Sequence, residues 1–176
     1  SLGGMRLVYA DAQAEKKNTL TRPIQGKVVD QQGHAIADAQ VALSTESIGV
    51  KISSGRLYPY SEKPDESRIV TTDAQGVFDL GQSTDEGFDV IVACLQGFAQ
   101  VRSEELSIPY TIEIRSWGRI VGQMGENRRA LENQIWMSQS PNLTWRTRKR
   151  PCSGHSMRGD EQGRFACEKV TPGWAE

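Results

Sequence analysis

The feature that most restricts how this chain can fold is a short run that occurs twice. Ile69-Val-Thr-Thr-Asp73-Ala-Gln-Gly76-Val-Phe78-Asp-Leu80 has the order strand, tight turn, strand. β-Branched residues lead up to Asp73, and Gly76 stands where such a turn needs a positive φ. Phe78 and Leu80 alternate with Val77 and Asp79, so one face of the outgoing strand is apolar. Asp160-Glu-Gln-Gly163-Arg-Phe165-Ala-Cys167 repeats the pattern. A hairpin that returns at a similar place in a longer pattern predicts two copies of one small β module.

In the first copy, Arg22–Val29 reads as a strand with Ile24, Gly26 and Val28 on one face, followed by a turn at Asp30-Gln-Gln-Gly33. Ile36 is expected to plug the core edge, and Ala39–Leu43 to be a strand with Val41 and Leu43 inward. Residues 44–67 contain Gly49, Gly55, Pro59 and Pro64 with two apolar islands, Val50-Lys-Ile52 and Leu57-Tyr-Pro-Tyr60. They read as a long loop, functional or mobile. The central hairpin follows. Phe88–Leu95, the most β-prone run, is expected to be a central strand that Gly97-Phe98 breaks before Ala99–Val101, and Tyr110–Ile114 closes the module. The sum is an all-β fold, a seven-stranded Greek-key-type β-sandwich.

Trp117 then starts the pattern again, with Ile120 and Gly122 matching Ile24 and Gly26. Gln134-Ile-Trp-Met137 matches Gln40–Leu43, Asp160–Cys167 matches Asp73–Leu80, and Pro172-Gly-Trp174 stands where Gly87-Phe88 opens the fifth strand. The organisation expected is a linker over 1–21 with a short strand at Met5–Tyr9, a complete sandwich over 22–116 and a second, truncated one over 117–176. A half-sandwich would expose an apolar face and unpaired strand edges, with its missing strands beyond this segment.

With 176 residues there is room for one medium domain or two small ones. A net charge of −1 gives no field to draw nucleic acid or an anionic membrane. No apolar run reaches the ~18–20 residues of a spanning helix, so no membrane insertion is expected.

The set Gly26-x-Val28, Gly33, Ala39-x-Val41-x-Leu43, Thr72-Asp73-x-x-Gly76-x-Phe78-x-Leu80, Val90-x-Val92 and Gly97-Phe98 resembles the carboxypeptidase regulatory-like domain family. The resemblance covers roughly 22–116 well and 117–174 in part. It implies the transthyretin-like (prealbumin-like) sandwich and a structural role for Gly26, Gly33, Asp73, Gly76, Phe78, Gly122, Asp160, Gly163 and Phe165. It also implies a non-catalytic module, found beside peptidases or as tandem repeats in bacterial extracytoplasmic proteins. The long segment 44–67 departs from the family pattern.

No residues form a convincing catalytic constellation, and no cofactor is expected. Cys152-Ser-Gly-His155 with Cys167 could hold zinc, and Cys152 could bond Cys167, but Cys167 fills the slot of Leu80 and reads as a core thiol. Cys94 reads the same way. His34 and His155 lack the neighbours of a nucleophile elbow or a zinc-peptidase pair. Asp85-Glu86 and Glu104-Glu105 read as solvated charges. The family that the chain resembles has relatives among collagen-adhesin B-type domains, which use a Lys–Asn isopeptide bond, but Lys27 has no Asn between 22 and 117 to form one.

Binding candidates are few. Trp145, Arg146 and Arg148 form the strongest basic cluster, suited to a phosphate or acidic glycan, or simply a solvated loop. Trp136 should point outward if Ile135 and Met137 point inward. Tyr58 and Tyr60 lie in the long segment 44–67, where their spacing can place both rings on one face, and exposed rings of this kind can hold sugars, although Trp136 could equally pack on a neighbouring module. The expected function is a spacer or protein-interaction module touching its neighbours through a rigid Ser116-Trp117-Gly118 junction. The alternatives are binding of a cell-surface glycan and service as an accessory domain to a peptidase or other enzyme.

Overall fold

The computed structural model describes residues 22–45, 48–60, 68–83, 87–107, 109–124, 134–139 and 152–171, with backbone alone at 22, 83, 134–139 and 152–157. Among the described residues every regular element is a β-strand. The expected all-β fold is what the chain adopts.

Seven strands match the seven read from sequence: β1 (Arg22–Val29), β2 (Gln40–Ser44), β5 (Ile69–Thr71), β6 (Val77–Ser83), β7 (Asp89–Ala93), β8 (Gly97–Arg102) and β9 (Tyr110–Glu113). Between them lie β3 (Gly49–Ser53) and β4 (Arg56–Tyr60), and after them the short β10 (Arg115–Ser116). One sheet has the order β6-β1-β9 and the facing one β10-β8-β7-β2-β5. Alternation sends Ile24, Val28, Phe78, Leu80 and Ile112 from the first sheet against Val41, Leu43, Val90 and Val92 from the second. Ile36 closes the edge of this core as expected. Gly97 and Phe98 do not interrupt the sheet. They begin β8, and the bend is Leu95-Gln96, closed by the Cys94 N–H on the Gly97 carbonyl at 3.0 Å.

The segment read as a long loop is a hairpin. β3 and β4 pair through a two-residue turn in which Ser54 (φ 52°) and Gly55 (φ 76°) are both left-handed, the geometry that lets a tight turn follow strand twist. The two apolar islands are its strands. Val50, Ile52 and Leu57 pack with Ala42, Ile91, Ala93 and Phe98, which face away from the sandwich core. The five-stranded sheet is therefore covered on both sides. All five residues of β7 are buried, which explains why Asp89–Ala93 reads as a nearly continuous apolar run rather than an alternating one.

The rest of the chain contributes β11 (Gly118–Gln123), β12 (Gln134–Gln139), β13 (Cys152–Arg158) and β14 (Arg164–Val170). Several of their registers correspond to registers within 22–116. Gly122 faces Phe165 and Gln123 faces Arg164, as Gly26 faces Phe78 and Lys27 faces Val77. Gln134 faces Arg158 and Ile135 faces Met157, as Gln40 faces Thr71 and Val41 faces Val70.

The turns agree as well. The Asp73 carboxylate accepts the N–H groups of Gln75 and Val77 at 2.9 and 2.8 Å. Asp160 accepts those of Gln162 and Arg164 at 3.0 and 2.8 Å. Asp30 repeats the motif with Gln32 and His34 at 2.9 and 2.8 Å, so one Asp-x-x-Gly-x turn serves three places.

Where the truncated sandwich was expected to leave strand edges unpaired, β13 adds to the β3–β4 hairpin, making a sheet of order β12-β13-β3-β4. The join is parallel, with Cys152 beside Lys51 and Ser153 beside Ile52. The expected strand at Met5–Tyr9 and the fifth-strand position at Pro172–Trp174 lie outside the described residues.

Candidate functional site

The face of the β3–β4 hairpin turned away from the core gathers the most distinctive exposed chemistry. Because Leu57 is buried, its neighbours along β4 alternate outward: Arg56 and Tyr58, then Tyr60 two residues on. Tyr58 is 46% and Tyr60 58% exposed, large values for aromatic side chains in a strand. Lys51 lies directly across from Tyr58 and is also exposed. Two rings and two cations thus share one face. Pro59 within β4 suits a strand at the sheet margin, since a proline cannot donate to a further ladder.

Trp136 belongs to the same sheet. Its backbone pairs with Ser156 on β13, in the same alternation phase as Cys152 and, across the join, Lys51 and Tyr58. The position is three strands across and four residues along from Tyr58, about 19 Å away at ordinary strand spacings. The structure therefore places Trp136 in the sheet that carries the tyrosines without bringing it beside them, and its side chain lies outside the described residues. Trp145, Arg146 and Arg148 lie outside them too, as do Asp85 and Glu86.

The hairpin also has a tip and an edge. At the tip, Lys169 Nζ donates to the Ser54 carbonyl at 3.2 Å, bringing β14 against the first unit. At the junction, Trp117 Nε1 donates to the Cys94 carbonyl at 2.9 Å while its ring lies 5.7 Å from that of Phe98. These contacts, with the β3–β13 join, connect the two parts of the chain at three places. The Trp117 junction was legible in sequence as a near-absence of linker. The role of the hairpin was not, although Ser54-Gly55 between two apolar islands was the available signal.

An open depression lies around β11 and β14, lined by Arg119, Val121, Arg158 and Arg164 among others. Arg119 is matched by Glu168 at 2.6 Å and Arg164 by Asp160 at 2.8 Å, so much of its positive charge is neutralised locally. The Arg164 backbone N–H, the largest influence, and its guanidinium hold the Asp160 carboxyl below the usual carboxylate range, against an opposing effect of desolvation.

Cys167 is buried and free, in the slot of Leu80 as expected, and burial together with Glu168 pushes its thiol up. It therefore does not bond Cys152. Cys94 is likewise a buried free thiol. No group of three metal-ligating side chains occurs among the described residues, and no helix there is long and apolar enough to cross a membrane. His34 is exposed and bonded to the Asp30 carboxylate at 3.0 Å, part of a turn. Compared with protein-family models, curated proteins and solved structures, the chain finds no match.

Proposed function

We propose that this chain is a non-catalytic β-sandwich spacer and protein-interaction segment whose two units are held in one orientation. The observation that carries this is the threefold engagement of the β3–β4 hairpin. Its inner face covers Ile91 and Phe98, its β3 edge pairs with β13, and its tip accepts Lys169. Two freely jointed units would need neither the β3–β13 pairing nor the Lys169 contact. The shared strand registers and Asp-x-x-Gly-x turns support taking 22–116 and 117–176 as a complete and an incomplete copy of one module. The resemblance to the carboxypeptidase regulatory-like domain adds an extracytoplasmic setting to that proposal. Spin labels at Gln31 and Glu161, both exposed, test it by distance measurement. A single narrow distribution is expected, broadening when residues 48–60 are replaced by a short Gly-Ser bridge. A broad distribution in the intact chain would overturn the proposal.

A second function, glycan binding, is favoured by the two exposed tyrosines sharing a face with Lys51 and Arg56. Rings offer stacking surfaces for pyranose faces, and the cations select an acidic sugar. On a glycan array the expected hits are acidic polysaccharides, lost in the double variant Tyr58→Ala/Tyr60→Ala and weakened in Trp136→Ala. Absence of hits, or hits indifferent to the tyrosines, removes this function.

A further inference from the structure

We propose that residues 22–114 form a tension-bearing clamp, and that the stretch 118–170, pulled at its own two ends, yields before it. This goes beyond a spacer held in one orientation, which need not carry load. Where force enters each unit decides its resistance.

Tension along the chain pulls β1 from Arg22 and β9 from Glu113. These strands are direct neighbours and parallel, in register from Gly26 beside Tyr110 to Val29 beside Glu113. The Ile114 N–H extends the ladder by donating to the Val29 carbonyl at 2.9 Å. Pulling the start of one strand against the end of its parallel neighbour slides them lengthwise. Every bond between them is then loaded at once, and none can break early to relieve the others. β1 is also the middle strand of its sheet, so the same motion must shear its antiparallel pairing with β6. Ile24, Val28 and Ile112, all fully or almost fully buried, have to move past the facing sheet as it happens.

The second unit presents the opposite geometry. Pulled at Gly118 and Val170, this stretch is loaded at two residues that are paired with each other. β11 and β14 are antiparallel with their loaded ends together, so tension parts them one pair at a time. The attachments ahead of the shear clamp are similarly small. β10 contributes two pairs with β8, and Trp117 a single hydrogen bond and one ring contact.

Single-molecule force spectroscopy on the full chain, held at its two ends, tests this directly. Two rupture events are expected. The first, at lower force, releases residues 118–170, a contour gain of about 19 nm at ~3.6 Å per residue. The second, at higher force, releases residues 22–114, about 33 nm. A second geometry separates direction from stability. Azide-bearing residues at Gln31 and Arg115, both exposed, place the handles at the same end of β1 and β9, so the same bonds are unzipped. Rupture force of the first unit should then fall severalfold. Equal forces in the two directions, or a second unit that outlasts the first, would overturn the proposal.

Discussion

Two glycines and two phenylalanines do the same work in the two halves of the chain. The Phe78 ring lies over Gly26, where a Cβ would meet it at 2.9 Å and would also collide with the Tyr110 carbonyl. The Phe165 ring lies over Gly122 closely enough that a Cβ there would collide with it. A glycine in a strand has no side chain to pack, and a ring from the facing strand covers the gap. The two sites differ in burial, Phe78 being 2% exposed and Phe165 only half-buried. Phe78→Ala should therefore cost about 3–5 kcal/mol, and Phe165→Ala distinctly less, when both are compared by chemical denaturation. Gly76→Val should be comparably damaging. It loses ~1–2 kcal/mol to a left-handed φ, and its Cβ would sit 2.7 Å from the Val28 carbonyl, which the turn cannot yield without opening. Binding at the Tyr58–Tyr60 face should be unchanged in all three variants.

Asp160 gives the same turn a pH dependence. Its folded carboxyl titrates below the unfolded value, chiefly because the Arg164 N–H bonds the charged form. The stabilisation is thus present above about pH 3.9 and is lost as pH falls through the lower folded value. Amide exchange at Gln162 and Arg164 should accelerate over that acid range, and Asp160→Asn should remove the dependence.

At the scale of elements, the β3–β4 hairpin decides how the parts are joined. Ile52 is fully buried between the hairpin and the five-stranded sheet. Ile52→Ala should cost about 2–5 kcal/mol, seen as faster hydrogen exchange in β3, β4 and β13 while β1 and β9 keep their protection. Uniform acceleration would mean the hairpin is not a separate layer. Seven strands, their inward faces and all three Asp-x-x-Gly turns were legible because each is a local alternation ended by a local turn. The hairpin was hidden for a physical reason. The polar stretch Ser53-Ser54-Gly55-Arg56 parts its apolar content into two short islands, and the surface that receives it, Ala42, Ile91 and Ala93, looks in sequence like extra core of β2 and β7. The β3–β13 join was less legible still, because two residue pairs about a hundred positions apart leave no periodic mark. Tyr58 and Tyr60 were found by spacing alone, whereas Lys51 and Arg56, which give the face its charge, needed the register of the hairpin.

For the whole molecule, the two units stand in an unequal relation. The first has facing sheets that enclose a core from Ile24 to Ile114. The described part of the second has a two-stranded sheet, β11-β14, and a pair, β12-β13, whose sheet is continued by strands of the first unit. Two-stranded sheets alone are marginal in water, so the stability of the second unit should depend on the first. A fragment spanning 22–116 should keep its cooperative unfolding and lose little beyond the packing of Trp117 on Phe98. A fragment spanning 117–176 should show no cooperative transition by itself. Adding the first fragment in trans should restore some exchange protection in β13, because β3 offers it a paired edge. A Gly-Ser replacement of residues 48–60 in that partner should abolish the rescue. Cooperative unfolding of 117–176 by itself would mean that its core is complete without the hairpin, and the join would then set orientation without supplying stability.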